Sequence, residues 1–421
     1  MIPHLMDILS LEETYLKELN NIERKKFFQK LKIIKFLYIK GAQSNADICE
    51  RFTISSPTSI TLLNELIAEG YLEKQGRGHS IGGRKPDLYG LQDNSMFVLG
   101  IEMGTCHTRM AIFNNRNQPI TEIQSFPIRI SRDLGMLEDL YTCAMDLIGA
   151  SGINTDKLLG IGISMPGLVG LKEGRNYTYL LTPEDGPSLQ HVLERKFKKP
   201  VFLQNDVKAA TLAEHRFGLA RNRQDVLVIS MDWGLGLGLI VDGKLRTGTW
   251  GFAGEFGHIP VVEDGLLCYC GKRGCLETVA SGLALARLAK AGIRSGQSTQ
   301  LKDLSDQDLD GIEPSAIIAA AHNGDQYAIS ILSEVGLDLG KGIAILIQLL
   351  NPELIILGGI IADSKQFIAV PIQQSINTYC MTQLREKATL AMSTLGPDAG
   401  IMGAVATVME NIYMNYIELT R

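Results

Sequence analysis

From Phe27 onward, the apolar residues Phe27, Phe28, Leu31, Ile34, Phe36, Leu37 and Ile39 recur near helical spacing, which predicts a first helix ended by Gly41. A short second helix over 45–51 follows, with Ser44 as its cap. Ser56 and Pro57 read as the cap and first residue of a third, running to about Glu69. Its inner face is expected to carry Ile60, Leu63, Leu66 and Ile67. Tyr71-Leu72-Glu73-Lys74 then alternates like a strand, and Leu88-Tyr89-Gly90-Leu91 can return as its partner. The connection over 76–86 is rich in Gly, Arg and Lys. Three helices followed by such a hairpin are the layout of a winged helix-turn-helix, here over 23–92. A weakly patterned lead over 1–22 precedes it.

Near Met96 the pattern changes. An apolar strand over 97–104, a second over 109–114 and a helix over 134–150 are followed by a strand over 158–164 ending at Pro166-Gly167. Another strand, 201–204, ends at Asn205-Asp206 and hands over to a helix from 207 to 217. Strand and helix signals alternate to the C-terminus, which predicts an α/β body over 96–421. Within it, Gly234, Gly236 and Gly238 read as a flexible hairpin, because Gly-x-Gly-x-Gly alone is weak evidence for nucleotide binding.

Charge sharpens the picture of the N-terminal segment. The chain carries a net −5, but residues 23–90 hold 12 Lys and Arg against 7 Asp and Glu, a net of +5, so the remainder carries −10. A basic module on an acidic body points to a local contact with a polyanion such as DNA. The third helix would present Ser56, Thr58, Ser59, Thr61, Leu62 and Asn64 outward. Small hydrogen-bonding groups there suit the edges of bases in a major groove. Arg77, Arg84 and Lys85 suit phosphate or minor-groove contact. The alternative is a small helical adaptor whose basic loop is merely solvated.

The sharpest chemistry lies in the cysteines. There are seven, and Cys268, Cys270 and Cys275 fall within eight positions, downstream of His258. An odd count in a chain of 421 residues argues against an oxidised disulfide framework. Three thiolates and an imidazole complete the tetrahedral Cys₃His set that zinc favours, and four protein ligands leave no open position. Such a zinc would be structural rather than catalytic; redox-active cysteines are the competing reading. No uninterrupted apolar leader or span is present, since the apolar stretch over 343–361 is broken at Gln348 and at Asn351-Pro352-Glu353. The expectation is a cytoplasmic protein with no membrane contact.

Gly251-Phe252-Ala253-Gly254-Glu255-Phe256-Gly257-His258, the cysteine run and Gly274-Cys275-Leu276-Glu277 together resemble the signature of the ROK family (repressors, open reading frames, kinases). Pro166-Gly167, Asn205-Asp206, Gly358-Gly359 and Ala399-Gly400 followed by Gly403-Ala404 match in the same order. The resemblance spans about residues 97 to 410, and the N-terminal module resembles that of the repressor branch. It implies the two-lobed actin-like ATPase/sugar-kinase (ribonuclease H-like) fold, with one lobe over about 96–206 plus a C-terminal helix over 400–421, and the other over 207–399. It further implies that Asn205, Asp206, Glu255, His258 and Glu277 hold sugar hydroxyls, which are both donors and acceptors. His258 could then hold zinc through one ring nitrogen and a sugar hydroxyl through the other.

In the family's kinases the position of Asp206 carries the general base, so its presence favours catalysis. Two phosphate-loop elements depart from the kinase pattern. Glu102-Met103-Gly104 stands where Asp-x-Gly is usual, and Asp232-Trp233-Gly234 where Gly-Thr-Gly is usual. The expectation is a sugar-responsive transcriptional regulator that binds operator DNA and a sugar or sugar phosphate, as a homodimer or tetramer. The alternative is an ATP- and Mg²⁺-dependent sugar kinase.

Overall fold

A computed structural model of the chain describes residues 20–78, 85–302 and 311–418, with side chains as far as Ile412. Residues 1–19 of the expected lead, and Arg84, lie outside the described residues. The chain forms two compact units. One comprises the residues up to Asp206 together with those from Ile401 onward; the other is Val207–Gly400.

The first unit begins with a helical head. Asn20 and Glu23 form a reciprocal capping box that starts α1 (Asn21–Lys40), whose buried face is Phe27, Leu31, Ile33, Ile34 and Leu37. Ser44 and Asp47 form a second box at α2 (Asn45–Phe52). The third helix, α3 (Ser56–Ala68), is capped by Ser55 rather than Ser56: the Ser55 hydroxyl accepts from Thr58 N–H, and Pro57 sits in the first turn. Its inner face is Ser59, Leu62, Leu63 and Leu66. Two expectations are corrected by this register. Ile60, expected inside, is exposed, whereas Ser59 and Leu62, expected outside, are buried. The i, i+3, i+4, i+7 stripe simply starts one residue earlier than Ile60. Strands β1 (Gln43–Ser44), β2 (Leu72–Arg77) and β3 (Asp87–Leu91) form a sheet in the order β1-β3-β2, the last two making the wing.

α1 is tied to α3 by charge as well as by apolar packing. Buried Lys30 pairs with Glu65 at 2.9 Å and with Glu69, and Lys26 also reaches Glu65. Burial pushes the Glu65 carboxyl up, but the two lysines together outweigh it and hold the group below its usual value. A carboxyl depressed in the fold contributes stability above its unfolded value of about 4.3, and loses it as pH falls through the folded value. Glu65→Gln is therefore expected to lower stability at pH 7 by about 1–2 kcal/mol, with the gap to the parent chain closing below about pH 4. Urea melts at the two pH values measure this; an equal gap at both would refute it.

The head does not stand apart from the rest of the first unit. Phe27, Leu31, Leu63, Tyr71 and Leu91 belong to one apolar core with Val98, Phe113, Leu159, Ile401, Val405 and Met409. Lys35 Nζ also donates to the Glu410 carbonyl at 2.8 Å. The partners come from β4 (Phe97–Met103), β5 (Thr108–Asn114), β7 (Leu158–Met165) and the C-terminal helix, so the head is seated on one face of the sheet. That sheet has the order β10-β7-β4-β5-β6, completed by β6 (Gln124–Phe126) and β10 (Val201–Asn205). A two-stranded ribbon of β8 (Val169–Gly170) and β9 (Arg175–Asn176) lies between β7 and β10 in sequence. The opposite face of the sheet packs on α4 (Leu137–Ser151) and α5 (Leu189–Phe197) through Leu99, Ile101, Leu140, Leu147 and Leu193.

The second unit begins within α6 (Asp206–Phe217), which has Asp206 as its first residue. Its sheet has the order β13-β12-β11-β14-β15, from β11 (Val226–Met231), β12 (Leu235–Val241), β13 (Lys244–Leu245), β14 (Leu354–Gly358) and β15 (Thr389–Met392). In both sheets the first strand joins an antiparallel hairpin on one side and parallel strands on the other. This repeated order is the ribonuclease H-like pattern of the actin-like ATPase/sugar-kinase fold class. Helices α7 (Gly282–Arg294), α8 (Pro314–His322), α9 (Gln326–Leu350) and α10 (Gln366–Tyr379) bury its apolar face. Gly236 and Gly238 are not a flexible hairpin. They lie in β12 against α6, where an added Cβ would meet Val207 at 2.4 Å and Thr211 at 1.7 Å. α11 (Ala399–Glu418) ends the described chain, and among the described residues no helix is long and apolar enough to cross a membrane.

Candidate functional site

The loop from His258 to Cys275 folds back on itself as a hairpin. Pro260 bridges Cys275 and Leu267 bridges Arg273, while Cys268 N–H donates to Lys272 O at 2.8 Å and Gly271 N–H to Cys268 O at 2.9 Å. Gly274 makes the close return possible: its φ is +73°, and a Cβ there would lie 1.9 Å from the Val262 carbonyl oxygen. The fold thereby gathers His258, Cys268, Cys270 and Cys275, whose ligand atoms all lie within 4.8 Å of one another. His258 Nδ1 is 3.6 Å from Cys268 Sγ, and Cys270 Sγ is 3.6 Å from Cys275 Sγ.

Burial, reinforced by the two neighbouring thiols, pushes the Cys275 thiol up to about 12, and burial raises Cys268 as well. Exposed Cys270 is held below the usual thiol value by the Lys272 backbone N–H. Two buried thiols converge with a third and an imidazole as a donor set of the kind that takes a divalent cation. The four residues could hold a metal ion.

The second nitrogen of His258 has its own neighbour. Nε2 lies 3.0 Å from the Tyr269 hydroxyl, with the rings edge to face at 5.1 Å. With Nδ1 on a metal, Nε2 carries the proton and donates to the phenol. The expectation that this nitrogen serves a sugar hydroxyl meets Tyr269 in that place. Tyr269 is 74% exposed. An exposed aromatic inside a glycine-rich loop has no periodic partner in the sequence, which is why it carried no signal.

The other expected sugar ligands divide between the units. In the first, Asn205 Nδ2 donates to Gly167 O at 3.1 Å and to Asp206 Oδ1 at 2.8 Å, fixing the pair at the junction of β10 and α6. In the second, Glu255 is half exposed and lies 4.0 Å from buried Lys208 Nζ. Glu277 is buried, and its Oε2 accepts from Leu235 N–H at 2.9 Å. One carboxylate oxygen of Glu277 therefore anchors the start of β12, a structural role that no local sequence pattern announces.

On the head, Ser56, Thr58, Thr61 and Asn64 are exposed on α3, and Arg77 and Lys85 are exposed on the wing. Ser56 Oγ accepts from Asn45 Nδ2 at 2.9 Å, which ties the start of α3 to α2. Thr61 Oγ1 bonds back to Pro57 O at 2.9 Å. Ser59 is corrected here as a DNA contact: with 0% of it exposed, it faces the core and cannot reach a groove. Of the residues expected at the first phosphate loop, Glu102 is paired with Arg109, its cross-strand neighbour, at 3.0 Å.

Against known proteins, the model of the family described as "ROK family" matches residues 98–411. The xylose repressor of Caldicellulosiruptor bescii is 30% identical over 406 residues, covering 95% of this chain and 97% of its own. A solved ROK family transcriptional regulator, a homologue of the E. coli MLC protein, superposes with a TM-score of 0.79 at 26% identity, over 94% of this chain and 98% of that one. A ROK family glucokinase from Streptomyces griseus, solved with glucose and AMPPNP, gives a TM-score of 0.61 at 31% identity, over 73% of this chain and 97% of that one.

Proposed function

The chain belongs to the ROK family, and from that premise we propose that it is a sugar-responsive transcriptional repressor of carbohydrate-use genes. The head over 23–92 would be the operator reader and the body over 96–421 the effector receptor. The observation that carries this reading is the extent of the likeness. The repressor matches 95% of the chain, whereas the glucokinase covers 73% of it, about the share of the body.

Each part of the site has work consistent with this reading. Exposed Thr58, Thr61 and Asn64 lead α3 into the major groove, and Arg77 and Lys85 hold phosphates from the wing. Asp206 and Asn205 offer an acceptor and a donor fixed relative to each other, which suits two neighbouring sugar hydroxyls. Within the second unit, Glu255 and Glu277 offer acceptors, Lys208 stands beside Glu255 as its counter-ion, and the His258 ring reaches a sugar only where Tyr269 gives up its Nε2. The Cys₃His donor set fits zinc, whose four protein ligands give it a bracing rather than a Lewis-acid role. Two half-sites read by two heads call for a homodimer or tetramer. A second reading, an ATP-dependent sugar kinase, is favoured by Asp206 alone; Glu102, paired with Arg109, weakens it.

The test is operator binding by fluorescence anisotropy. Affinity should fall steeply with salt, and one member of a panel of free and phosphorylated sugars should shift it. Asp206→Ala should keep DNA binding while weakening the sugar response by about 10- to 100-fold. If no sugar acts, or the variant responds as the parent does, the effector assignment is wrong. Sustained phosphorylation of a sugar by the parent chain with ATP and Mg²⁺ would select the kinase reading instead.

A further inference from the structure

The turn between β11 and β12, Asp232-Trp233-Gly234, is closed by Asp232 N–H donating to Gly234 O at 3.1 Å. All four oxygens of Asp232 and Trp233 accept from elsewhere in the second unit. Asp232 Oδ1 accepts from Ile360 N–H at 2.8 Å, directly after the Gly358-Gly359 end of β14. Oδ2 accepts from the Ser230 hydroxyl at 2.8 Å. The backbone oxygens of Asp232 and Trp233 accept from Gly282 and Leu283 N–H, at 2.8 and 3.1 Å, which are the first two amides of α7. The third, Ala284 N–H, goes to the Ser281 hydroxyl at 3.3 Å.

Amides at a glycine turn and at the start of a helix are the groups with which proteins hold phosphate. Here the amides of Ile360, Gly282, Leu283 and Ala284 donate to protein oxygens, and the one after Gly359 already holds an anion, the Asp232 carboxylate. The approach there is close: Gly359 has φ +81°, and a Cβ on it would lie 2.7 Å from Asp232 Oδ2. A triphosphate oxygen reaching for Ile360 N–H would have to displace a charge-assisted hydrogen bond and sit beside a like charge.

We propose that Asp232 is a built-in anion that takes the place of a nucleotide phosphate, so that the body excludes nucleoside triphosphates while keeping its sugar-recognising groups. This deepens the repressor reading and rests on it; DNA binding tests that reading separately. The residue acts as a specificity determinant by occupancy, and its charge is only part of the effect.

The experiment titrates Mg²⁺–AMPPNP into the full chain, its D232G variant and its D232N variant by calorimetry. Hydrogen exchange is followed in the peptide containing Ile360, and operator binding is recorded alongside. The parent should show no saturation below roughly 10 mM. D232G should bind at least about tenfold more tightly, with exchange at Ile360 faster than in the parent and slowed again by the nucleotide. D232N, whose amide oxygen still accepts from Ile360 N–H, should gain clearly less. If D232G melts early, D232S carries the same expectation, because its shorter side chain does not reach Ile360. Three results would overturn the proposal: a parent chain that binds as tightly as D232G; faster exchange in D232G with no gain in affinity; or an equal gain in D232N, which would reduce the effect to charge repulsion. Unchanged operator binding in all three proteins leaves the repressor reading standing whichever way the nucleotide result falls.

Discussion

If the Cys₃His set holds zinc as proposed, a Cys275→Ser chain is expected to purify without the metal and with its second unit markedly destabilised. Cys275 is fully buried at the closing end of the hairpin, where Pro260 bridges it and its sulfur lies 3.6 Å from Cys270. A serine hydroxyl there is a hard, protonated and shorter donor, unable to replace a thiolate on zinc. The remaining three residues would then have to keep a buried thiol and an imidazole together without the ion that joins them. Structural zinc contributes on the order of 10 kcal/mol in small zinc domains. In this larger body, whose apolar core includes no residue of the loop, a loss of about 3–5 kcal/mol is the scale to expect. Metal analysis should read close to zero against about one zinc per parent chain, and calorimetry should show an early transition. Cys143→Ser is the control: half-buried and outside the cluster, it should leave zinc untouched. Full metal content in Cys275→Ser would sink the zinc assignment.

Why that cluster was legible in the sequence, while other features were not, comes down to range. Cys268, Cys270 and Cys275 are local, and glycines at 271 and 274 announce the tight return, so spacing alone brings the sulfurs together. His258 lies farther off, but one bridge between Pro260 and Cys275 sets its position. The strand and helix alternation of the body was equally readable, because each element carries its own period. Register at α3 was not. Ser59 and Ile60 exchange places relative to the expectation because a polar residue can be buried where the packing stripe demands it. Gly236 and Gly238 misled for the same reason: their role is to let Val207 and Thr211 of α6 approach β12, a contact no local pattern reveals. The apolar core that joins the head to the sheet and to the C-terminal helix depends on residues about 380 positions apart, such as Phe27 and Val405, and is a property of topology alone.

The corrected register of α3 separates residues that the sequence left together, and it sets the second large effect expected. Asn64→Ala should weaken operator binding by about 1–3 kcal/mol, or roughly 5- to 150-fold, and flatten sequence preference, because an amide is suited to two hydrogen bonds on an adenine edge. Arg77→Ala should weaken operator and scrambled DNA alike and reduce the salt slope by about one unit, since a wing arginine meets phosphate. Ser59→Ala behaves differently from both. Its hydroxyl is buried in the core with no hydrogen-bond partner, so removing it should leave DNA binding unchanged and raise stability by about 1 kcal/mol. Anisotropy titrations on operator and scrambled duplexes across a salt series, with urea melts of each variant, distinguish the three. A specific loss on Ser59→Ala, with none on Asn64→Ala, would mean that α3 meets DNA through another face, or that a different element reads the operator.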